Sequence, residues 1–265
     1  MACAAAQNPT VVDVTTPNHA RVYDYFLGGK DNFAADRLAA EKIAQAAPDT
    51  ALLARANRGF LTRAVRLMAD SGIRQFIDLG TGIPTSPSVH EVARSIDPSA
   101  QVVYIDNDPV VTTHNAALLA TDDGVVSIAG DVRRPEEILA DRSLQKAIDF
   151  DEPVGLLCVA VLHLITDAED PAGIMARFHE HLAPGSHLAI CQFAAESHPA
   201  GIKQFEEIYA NSPIKVTFRP CDQIRHFFDG LDILPPGVVD VEDWRPDIQG
   251  FSTYLKIVGG VGRKR

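Results

Sequence analysis

The sequence predicts a doubly wound α/β fold, in which helices cover both faces of a mostly parallel sheet. Two observations support this class. The segments before Gly72 carry a helical pattern only, whereas short apolar segments after it alternate with further helical patterns. The apolar segments are also hydrophobic at nearly every position, which is typical of strands buried on both faces of a sheet. We therefore expect a helical extension at residues 1–72, packed on a doubly wound domain at residues 73–265 as one compact unit.

Three helices are predicted in the N-terminal extension. Thr16 and Pro17 can cap and begin the first helix, and the Gly28-Gly29 pair ends it. Asp31 is the predicted cap of a second helix, which stops before Pro48. The third is predicted over residues 51–71, because apolar residues recur there at helical spacing.

Five strands are predicted after the extension, with helices between and after them. The strands are expected at residues 75–79, 102–105, 125–128, 154–161 and 187–193. The helical patterns cover residues 89–96, 110–119, 136–148 and 172–182. The last third is predicted to hold helices near residues 202–209 and 222–228 and a closing hairpin with strands near residues 238–241 and 253–258.

Charge and composition exclude several classes of protein. The 265 residues include 24 Lys and Arg against 35 Asp and Glu, a net charge of −11. A protein whose affinity depends on neutralising phosphates needs clustered basic residues, so nucleic acid is not an expected partner. The longest apolar run, residues 153–165, is too short to span a membrane and is predicted to be a buried strand. The first residues lack the features of a secretory signal, so a cytoplasmic location is expected.

The four cysteines give no sign of a metal centre. They are Cys3, Cys158, Cys191 and Cys221, and their wide spacing forms no zinc-ligand pattern. We interpret them as reduced, buried thiols. A metal-independent activity is therefore predicted.

Three loops that follow predicted strands carry residues suited to a nucleoside. In doubly wound sheets ligands bind at the carboxyl ends of the strands. The first loop holds Gly80 and Gly82, which let the backbone approach a ligand closely. The second begins with Asp106, a carboxylate that can accept hydrogen bonds from both ribose hydroxyls, and Asn107 follows it. The third holds Asp131 and Val132, where a carboxylate can reach an adenine amino group.

Two nucleoside cofactors fit this plan, a nicotinamide dinucleotide and S-adenosylmethionine. Pro84 favours the second. A pyrophosphate is held by backbone N–H groups at a helix N-terminus, and proline removes one of them where the dinucleotide fingerprint needs an open glycine-rich turn. S-adenosylmethionine has no phosphate, so the N–H group that Pro84 removes is not needed to bind it.

Several longer segments carry a more specific signal. The chain resembles the class I methyltransferases, and in particular the actinobacterial S-adenosyl methyltransferase family called methyltransferase family 19. The resemblance runs from about residue 18 to residue 258, and the tyrosine and di-glycine segment is specific to it. The motifs are residues 20–33 (ARVYDYFLGGKDNF), 56–58 (ANR), 76–84 (FIDLGTGIP), 104–109 (YIDNDP) and 161–163 (VLH).

The resemblance implies a seven-stranded sheet with an antiparallel last strand, and S-adenosylmethionine as cofactor. It implies that Gly80 and Gly82 approach the methionine part, that Asp106 holds the ribose, and that Asp131 and Val132 hold the adenine. The chain departs from the family's pattern at Cys191-Gln192, where Ser-His is expected after the fifth strand. The resemblance implies no particular methyl acceptor.

Further candidates surround these loops, each with a structural alternative. Asp78 is placed to orient the methionine ammonium, or to cap its own loop. Arg58 is a candidate for the methionine carboxylate, or part of a solvated helix face. Tyr23 is predicted to wall the pocket, with Tyr25 and Phe26, as a lid hinged at Gly28-Gly29, the alternative being helix packing. Ala160, near the end of the fourth predicted strand, completes the set of cofactor-binding candidates.

His163 is the candidate catalytic residue. It follows the fourth predicted strand and can accept a proton if the acceptor is a hydroxyl or an ammonium. The alternative is a histidine bonded to backbone carbonyls. His19 and His90 are interpreted as structural. The predicted function is methyl transfer from S-adenosylmethionine to a small-molecule acceptor by in-line displacement. The alternatives are an NAD(P)-dependent oxidoreductase and a sensor that binds S-adenosylmethionine without turning it over.

Overall fold

A central sheet covered by helices on both faces forms the core of the protein. The computed structural model describes residues 13–118, 123–210, 215–246 and 252–265. The strands are β1 Gln75–Leu79, β2 Gln101–Asp106, β3 Val125–Ala129, β4 Val154–Val159, β5 His187–Phe193, β6 Leu231–Ile233, β7 Val239–Asp240 and β8 Ile257–Lys264. Their order is β3-β2-β1-β4-β5-β8-β6, and the two-residue β7 pairs with β8. Neighbours among β1 to β5 are parallel and β8 is antiparallel to β5, so the mostly parallel, doubly wound sheet is confirmed.

Ten α-helices are described around this sheet. They are α1 His19–Leu27, α2 Ala34–Ala46, α3 Thr50–Asp70, α4 Val89–Arg94, α5 Pro109–Leu118, α6 Pro135–Leu139, α7 Arg142–Ala147, α8 Pro171–His181, α9 Pro199–Tyr209 and α10 Cys221–His226. Two short 3-10 helices, Leu162–Leu164 and Asp167–Glu169, follow β4. Within the described part of the chain, no helix is both long and apolar enough to cross a membrane.

Side chains alternate along each strand between two hydrophobic clusters, one on each face of the sheet. Phe76 of β1 belongs to the cluster that includes α1, α2 and α3, whereas the next residue, Ile77, belongs to the cluster that includes α6, α7 and α8. The N-terminal helices therefore share a core with one face of the sheet. In this core, Phe60 of α3 packs edge-on against Trp244, which follows β7, at a centroid distance of 5.1 Å. The boundary at residue 72 stays a prediction.

The N-terminal helices begin at different caps from those predicted. Asn18, not Thr16, caps α1, because its side chain accepts the N–H of Arg21, and Gly28 ends the helix as predicted. Helix α2 begins after Phe33 rather than at Asp31. The carboxylate that caps it comes from inside the helix, since Asp36 accepts the Phe33 N–H at 2.8 Å.

Three further predictions were wrong in detail. The helix predicted over residues 136–148 is two helices, because the Asp141 side chain accepts the N–H groups of Ser143 and Leu144 and starts α7 anew. The fourth strand ends at Val159, so the apolar run of residues 153–165 is not one buried strand. The last strand is Ile257–Lys264, beyond the predicted residues 253–258, since its glycines hide the strand pattern, and the short β6 was missed.

The cysteines follow the prediction in part. Cys158 and Cys191 are free and buried, whereas Cys221 is only partly buried at the start of α10. Cys3 lies outside the described residues. The closing hairpin is found in a shorter form, with Val239 opposite Gly259 and Asp240 opposite Val258.

The shared core generates a prediction about unfolding. Phe60→Ala should lower the free energy of unfolding by about 3–5 kcal/mol and move a single cooperative transition, because the fully buried ring packs within the cluster common to helices and sheet. Leu52→Ala, on the same helix but 38% exposed, is the control and should change stability by less than about 0.5 kcal/mol. Thermal and urea unfolding would check this. Two separate transitions, with only one shifted by Phe60→Ala, would contradict a common core.

Candidate functional site

A cavity of about 660 Å³ lies at the carboxyl ends of β1 to β4, and residues of α1, α3 and α9 complete its wall. This volume is usual for small-molecule sites. Apart from Tyr25, the structure brings together the residues proposed from sequence for the cofactor or for catalysis. The lining includes Tyr23, Arg58, Asp78, Gly80, Gly82, Asp106, Asn107, Asp131, Val132, Ala160 and His163. The cavity is therefore the candidate site, while the individual roles stay predictions.

The loop after β1 needs its two glycines for different reasons. Gly80 has φ +68°, and a β-carbon there would lie 2.4 Å from Cγ2 of Val161. Gly82 has φ +67°, but a β-carbon on it would meet no heavy atom within 4 Å. Positive φ favours glycine at both positions. Only Gly82, however, presents bare backbone to open space, which is the arrangement that lets a ligand approach.

Asp106 ties the loops after β1 and β2 together. Its Oδ2 accepts the N–H of Gly82 and its Oδ1 accepts the N–H of Asp108, both at 2.9 Å. Burial raises the pKa of Asp106, and these backbone N–H groups oppose the rise. Because each carboxylate oxygen has two lone pairs, both oxygens retain capacity for a ligand.

Asp78, near the end of β1, is a buried carboxylate, and no hydrogen bond contributes to the shift of its pKa. Burial raises its pKa to about 7; nearby Arg58 opposes the rise, and the Asp106 carboxylate adds to it. Among the residues that the structure describes, no hydrogen-bond donor reaches the Asp78 carboxylate. A cation in the cavity would favour its ionised form.

Arg58 holds the loop that follows Gly82. Its guanidinium donates to the backbone carbonyls of Thr85 and Pro87. Its Nε is buried and has no partner in the described part of the chain. The alternative of a solvated helix face is therefore wrong for Arg58, because the side chain lines the cavity and anchors a loop.

Asp131, after β3, is engaged by a neighbouring arginine. Nε and Nη2 of Arg133 bind its two oxygens at 2.6 to 3.0 Å, and Arg133 also contacts Glu169 at 3.3 Å. Burial acts against ionisation, but the Arg133 hydrogen bonds prevail and lower the pKa of Asp131. An adenine amino group would have to share this carboxylate with Arg133.

Helix α1 contributes Tyr23 and Phe26 to the cavity but not Tyr25, which does not line it. The prediction that all three residues form the wall was wrong for Tyr25. The Tyr23 hydroxyl donates to the carbonyl of Ala54 at 3.0 Å and accepts from Nδ2 of Asn57 at 2.8 Å. Tyr23 therefore packs on α3 and lines the cavity at the same time, and its role in a lid stays a prediction.

Helix α1 is also bound to the loop after β2. The Asn18 side chain donates to Oδ2 of Asp108, whose Oδ1 accepts the N–H of Val110 at the start of α5. Sequence patterns did not single out this contact, because the two residues are 90 positions apart.

The turn after β4 projects His163 into the cavity wall. Ala160 leaves the strand with φ +59°, a conformation that residues other than glycine seldom adopt. His163 is buried among aromatic rings, and its Nδ1 has no partner among the described residues, so it is not tied to backbone carbonyls through that atom. Burial lowers the pKa of His163 well below its usual range, and His19 and Arg219 add to the effect.

Arg219 holds the turn that carries His163, and no sequence pattern predicted this role. It is 2% exposed and donates to the carbonyls of Leu162 and Ile165 and to the side chains of Asp167 and Gln192. No local pattern marks it, because its partners come from two distant segments, residues 162–167 and Gln192. Gln192 and Cys191 lie within β5 rather than after it, and the Cys191 thiol donates to Asn57.

The two histidines interpreted as structural differ. His90 contacts Ser88 and Tyr104 through hydrogen bonds and fits that interpretation. His19 lines the cavity and stacks on Tyr209 at a centroid distance of 4.9 Å. Across the described ranges, no three His, Cys, Asp or Glu side chains are grouped so that they could hold a metal ion.

Comparison with known proteins agrees with the geometry. A profile of the S-adenosyl methyltransferase family matches residues 5–265. A DUF574 family protein from Streptomyces avermitilis is 37% identical, with TM-score 0.92 over 96% of this chain and 99% of its own. A proposed methyltransferase from Thermobifida fusca is 38% identical, with TM-score 0.91 over 98% of this chain and 100% of its own. No curated protein sequence matched the chain.

The fold is also found in a more distant protein. A SAM-dependent methyltransferase from Anabaena variabilis is 12% identical, with TM-score 0.52 over 74% of this chain and 78% of its own. The resemblance inferred from the motifs is thus confirmed by the profile match. The chain belongs to the S-adenosyl methyltransferase family and is an S-adenosylmethionine-dependent methyltransferase.

Proposed function

We propose that this protein transfers the methyl group of S-adenosylmethionine to a small-molecule acceptor by in-line displacement, without a metal ion. The observation that carries the proposal is the Gly82–Asp106 hydrogen bond, which joins an exposed backbone turn to a buried carboxylate at the edge of the cavity. The net charge of −11 supports a small molecule rather than nucleic acid as the acceptor.

The residues of the cavity fit the cofactor. A β-carbon on Gly82 would extend into open space, the buried Nε of Arg58 lacks a partner among described residues, and the Asp78 carboxylate lacks a donor there. An α-amino acid beside a sulfonium supplies the complement of each: a carboxylate for Arg58 and cations for Asp78. A pyrophosphate, in contrast, would be repelled by the carboxylates of Asp78 and Asp106.

Each part of the cofactor has proposed partners. Asp106 accepts the ribose hydroxyls, with Asn107 beside it. Asp131 accepts the adenine amino group once Arg133 releases one of its contacts, and the Val132 side chain packs on the adenine. Gly82 and Ala160 give backbone access to the methionine part, Gly80 allows the tight turn that brings the loop there, and Tyr23 closes the wall above it. These roles are supported by the shared lining of one cavity.

When bound, S-adenosylmethionine supplies a methyl group activated by a sulfonium. The chain's part is to align the acceptor with that group, which can account for up to about 7–11 kcal/mol of the barrier. His163 accepts the proton that a hydroxyl acceptor loses, since its neutral imidazole has a free Nδ1. Residues 1–72 pack on residues 73–265, and within them α1 acts as the cover, with Gly28-Gly29 as its hinge; the Asn18–Asp108 contact supports closure beside Asp106.

The first test separates this function from an NAD(P)-dependent oxidoreductase. At a hundredfold excess over its Kd, a ligand stabilises the protein by about 2.7 kcal/mol, which corresponds to roughly 5–10 °C in Tm. S-adenosylmethionine and S-adenosylhomocysteine should each give this shift in a thermal unfolding assay, and NAD should not. A shift with NAD alone would reject the proposal. Transfer of labelled methyl groups to components of a cell extract excludes a sensor that only binds.

The second test concerns the ribose. Asp106→Ala should weaken S-adenosylhomocysteine binding about 10- to 100-fold in isothermal titration calorimetry, because one or two charge-assisted hydrogen bonds are lost. Asp149→Asn, a carboxylate before β4 at the opposite end of the sheet, is the matched control and should leave the Kd unchanged. If Asp106→Ala changes the Kd less than threefold and Asp149→Asn leaves it unchanged, the assignment of Asp106 to the ribose is wrong.

The third test uses the raised pKa of Asp78. With a pKa of about 7, its ionised fraction rises from about 3% at pH 5.5 to about half at pH 7, so cofactor affinity should rise about 15-fold over this interval. Asp78→Asn should bind more weakly and with a flat profile across the same interval. Because the pKa of Asp78 is higher in the folded than in the unfolded protein, the protonated carboxyl stabilises the folded state at low pH. This stability is lost as the pH rises through the folded-state pKa of about 7. Unligated Asp78→Asn should therefore be more stable than the parent at pH 8, and a steep binding profile in this variant would reject the role of Asp78.

A further inference from the structure

Five aromatic rings of the cavity contact one another in a closed circuit, which we call the aromatic wall: His19, His163, Phe193, Phe205 and Tyr209. His19 stacks on Tyr209 at 4.9 Å between centroids, and Tyr209 stacks on Phe205 at 5.0 Å. Phe193 contacts Phe205 at 5.2 Å and His163 at 4.6 Å. The circuit closes between His163 and His19 at 5.9 Å. One face of the cavity is therefore built from flat, polarisable side chains.

The aromatic wall carries three polar atoms that have no hydrogen-bond partner in the described part of the chain. They are Nε2 of His19, Nδ1 of His163 and the hydroxyl of Tyr209, and all three atoms are buried. Leaving a buried polar atom unpaired costs about 1–3 kcal/mol, so three of them in one wall is uncommon in a folded protein. The arrangement indicates that a ligand supplies their partners.

All three groups are uncharged at neutral pH. Burial lowers the pKa of His19 to about 4, lowers that of His163 well below its usual range, and raises that of Tyr209. The wall therefore offers hydrogen bonds without a charge, in surroundings where an unpaired ion would be poorly solvated.

The charged groups near the wall already hold hydrogen bonds, and Arg219, which acts on His163, is paired with Asp167. Asp36, close enough to raise the pKa of Tyr209, accepts from Nε of Arg21 at 2.8 Å and from the N–H groups of Asn18 and Phe33. Lys215 lines the cavity, but its ammonium donates to the carbonyl of Ala210 at 2.8 Å. An ammonium on a ligand would have to compete with Arg21 for Asp36, and a carboxylate would have to draw Lys215 away from the Ala210 carbonyl.

We propose that the aromatic wall binds the methyl acceptor, and that the acceptor is an uncharged, planar aromatic compound that carries a hydroxyl group. The inference rests on the proposed function, because it assigns the second substrate of the same cavity. Flat rings stack on the wall. A hydroxyl offers one proton and two lone pairs, which matches one acceptor and two donors among His163, His19 and Tyr209.

Bonds, protons and charge balance in the proposed methyl transfer at this wall. The hydroxyl oxygen forms a bond to the methyl carbon as the carbon–sulfur bond breaks, the bonding pair goes to sulfur, and the hydroxyl proton goes to Nδ1 of His163. One positive charge disappears at sulfur as one appears on the imidazole, so the cavity's total charge is unchanged. Because burial, His19 and Arg219 lower the pKa of His163, the imidazolium is transient and gives its proton to water when the products leave. Arg219 is a positioning residue, since it holds the turn that carries His163.

The test measures binding to the full-length protein saturated with S-adenosylhomocysteine. The probe is 2-naphthol, compared by calorimetry with three compounds of similar size: decahydro-2-naphthol, which is saturated and not planar, anionic 2-naphthoate and cationic 2-naphthylmethylammonium. We expect 2-naphthol to bind at least tenfold more tightly than each of the others and without displacing S-adenosylhomocysteine. Equal or tighter binding of any comparison compound, displacement of S-adenosylhomocysteine, or no binding of 2-naphthol at millimolar concentration would overturn the inference.

Two variants assign the binding to the wall. Tyr209→Phe keeps the ring and should weaken 2-naphthol about three- to tenfold, whereas Phe205→Leu removes a ring contact and should weaken it by a similar factor. Tyr254→Phe is the control, because Tyr254 is 48% exposed and does not line the cavity. S-adenosylhomocysteine affinity should stay unchanged in all three variants, which also verifies folding.

The outcomes separate the two proposals. If S-adenosylhomocysteine binds but 2-naphthol affinity is the same in Tyr209→Phe and in the parent, the aromatic wall is not the acceptor site while the proposed function stands. If S-adenosylhomocysteine fails to bind the parent protein, the proposed function itself fails.

Discussion

The central sheet is buried on both faces, because successive side chains of each strand enter two different hydrophobic clusters. A strand in this position has little room for polar side chains along its length. Polar residues that must meet a ligand are therefore confined to the points where strands end. Since the five parallel strands point the same way, Asp78, Asp106 and the residues after β3 and β4 reach one cavity. Most of the site's chemistry follows from this constraint.

The part of the cavity proposed for the cofactor contains two carboxylates whose burial disfavours their ionised forms. Asp78 and Asp106 are both buried, and burial raises the pKa of each. Backbone N–H groups compensate Asp106, whereas Asp78 depends on the nearby charge of Arg58. Such a site is poorly stabilised until a cation enters it, and the sulfonium and ammonium of the methyl donor are cations. The same local electrostatics disfavour a dinucleotide.

The opposite half of the cavity is aromatic and uncharged, and its parts come from distant segments. His19 begins α1, His163 follows β4, and Tyr209 ends α9. The N-terminal helices are thus part of the site as well as of the core, through Tyr23 on one side and His19 on the other. The proposed neutral acceptor would use this wall and the charged donor the carboxylates, so the two ligands would not compete for the same residues.

The sequence by itself determined the fold class, the five parallel strands and the loop residues at their ends, because strand burial and glycine-rich turns leave local patterns. It also identified the family through contiguous motifs. Only the tertiary structure decided that Asp131 is shared with Arg133, that Tyr25 does not line the cavity, that Arg219 holds the turn of His163, and that His19 stacks on Tyr209. The contacts of Arg219 and His19 join residues far apart in the chain, so they depend on packing rather than on any local periodicity. Asp131 and Arg133 are only two positions apart, but their pairing depends on side-chain conformations that the sequence pattern does not specify.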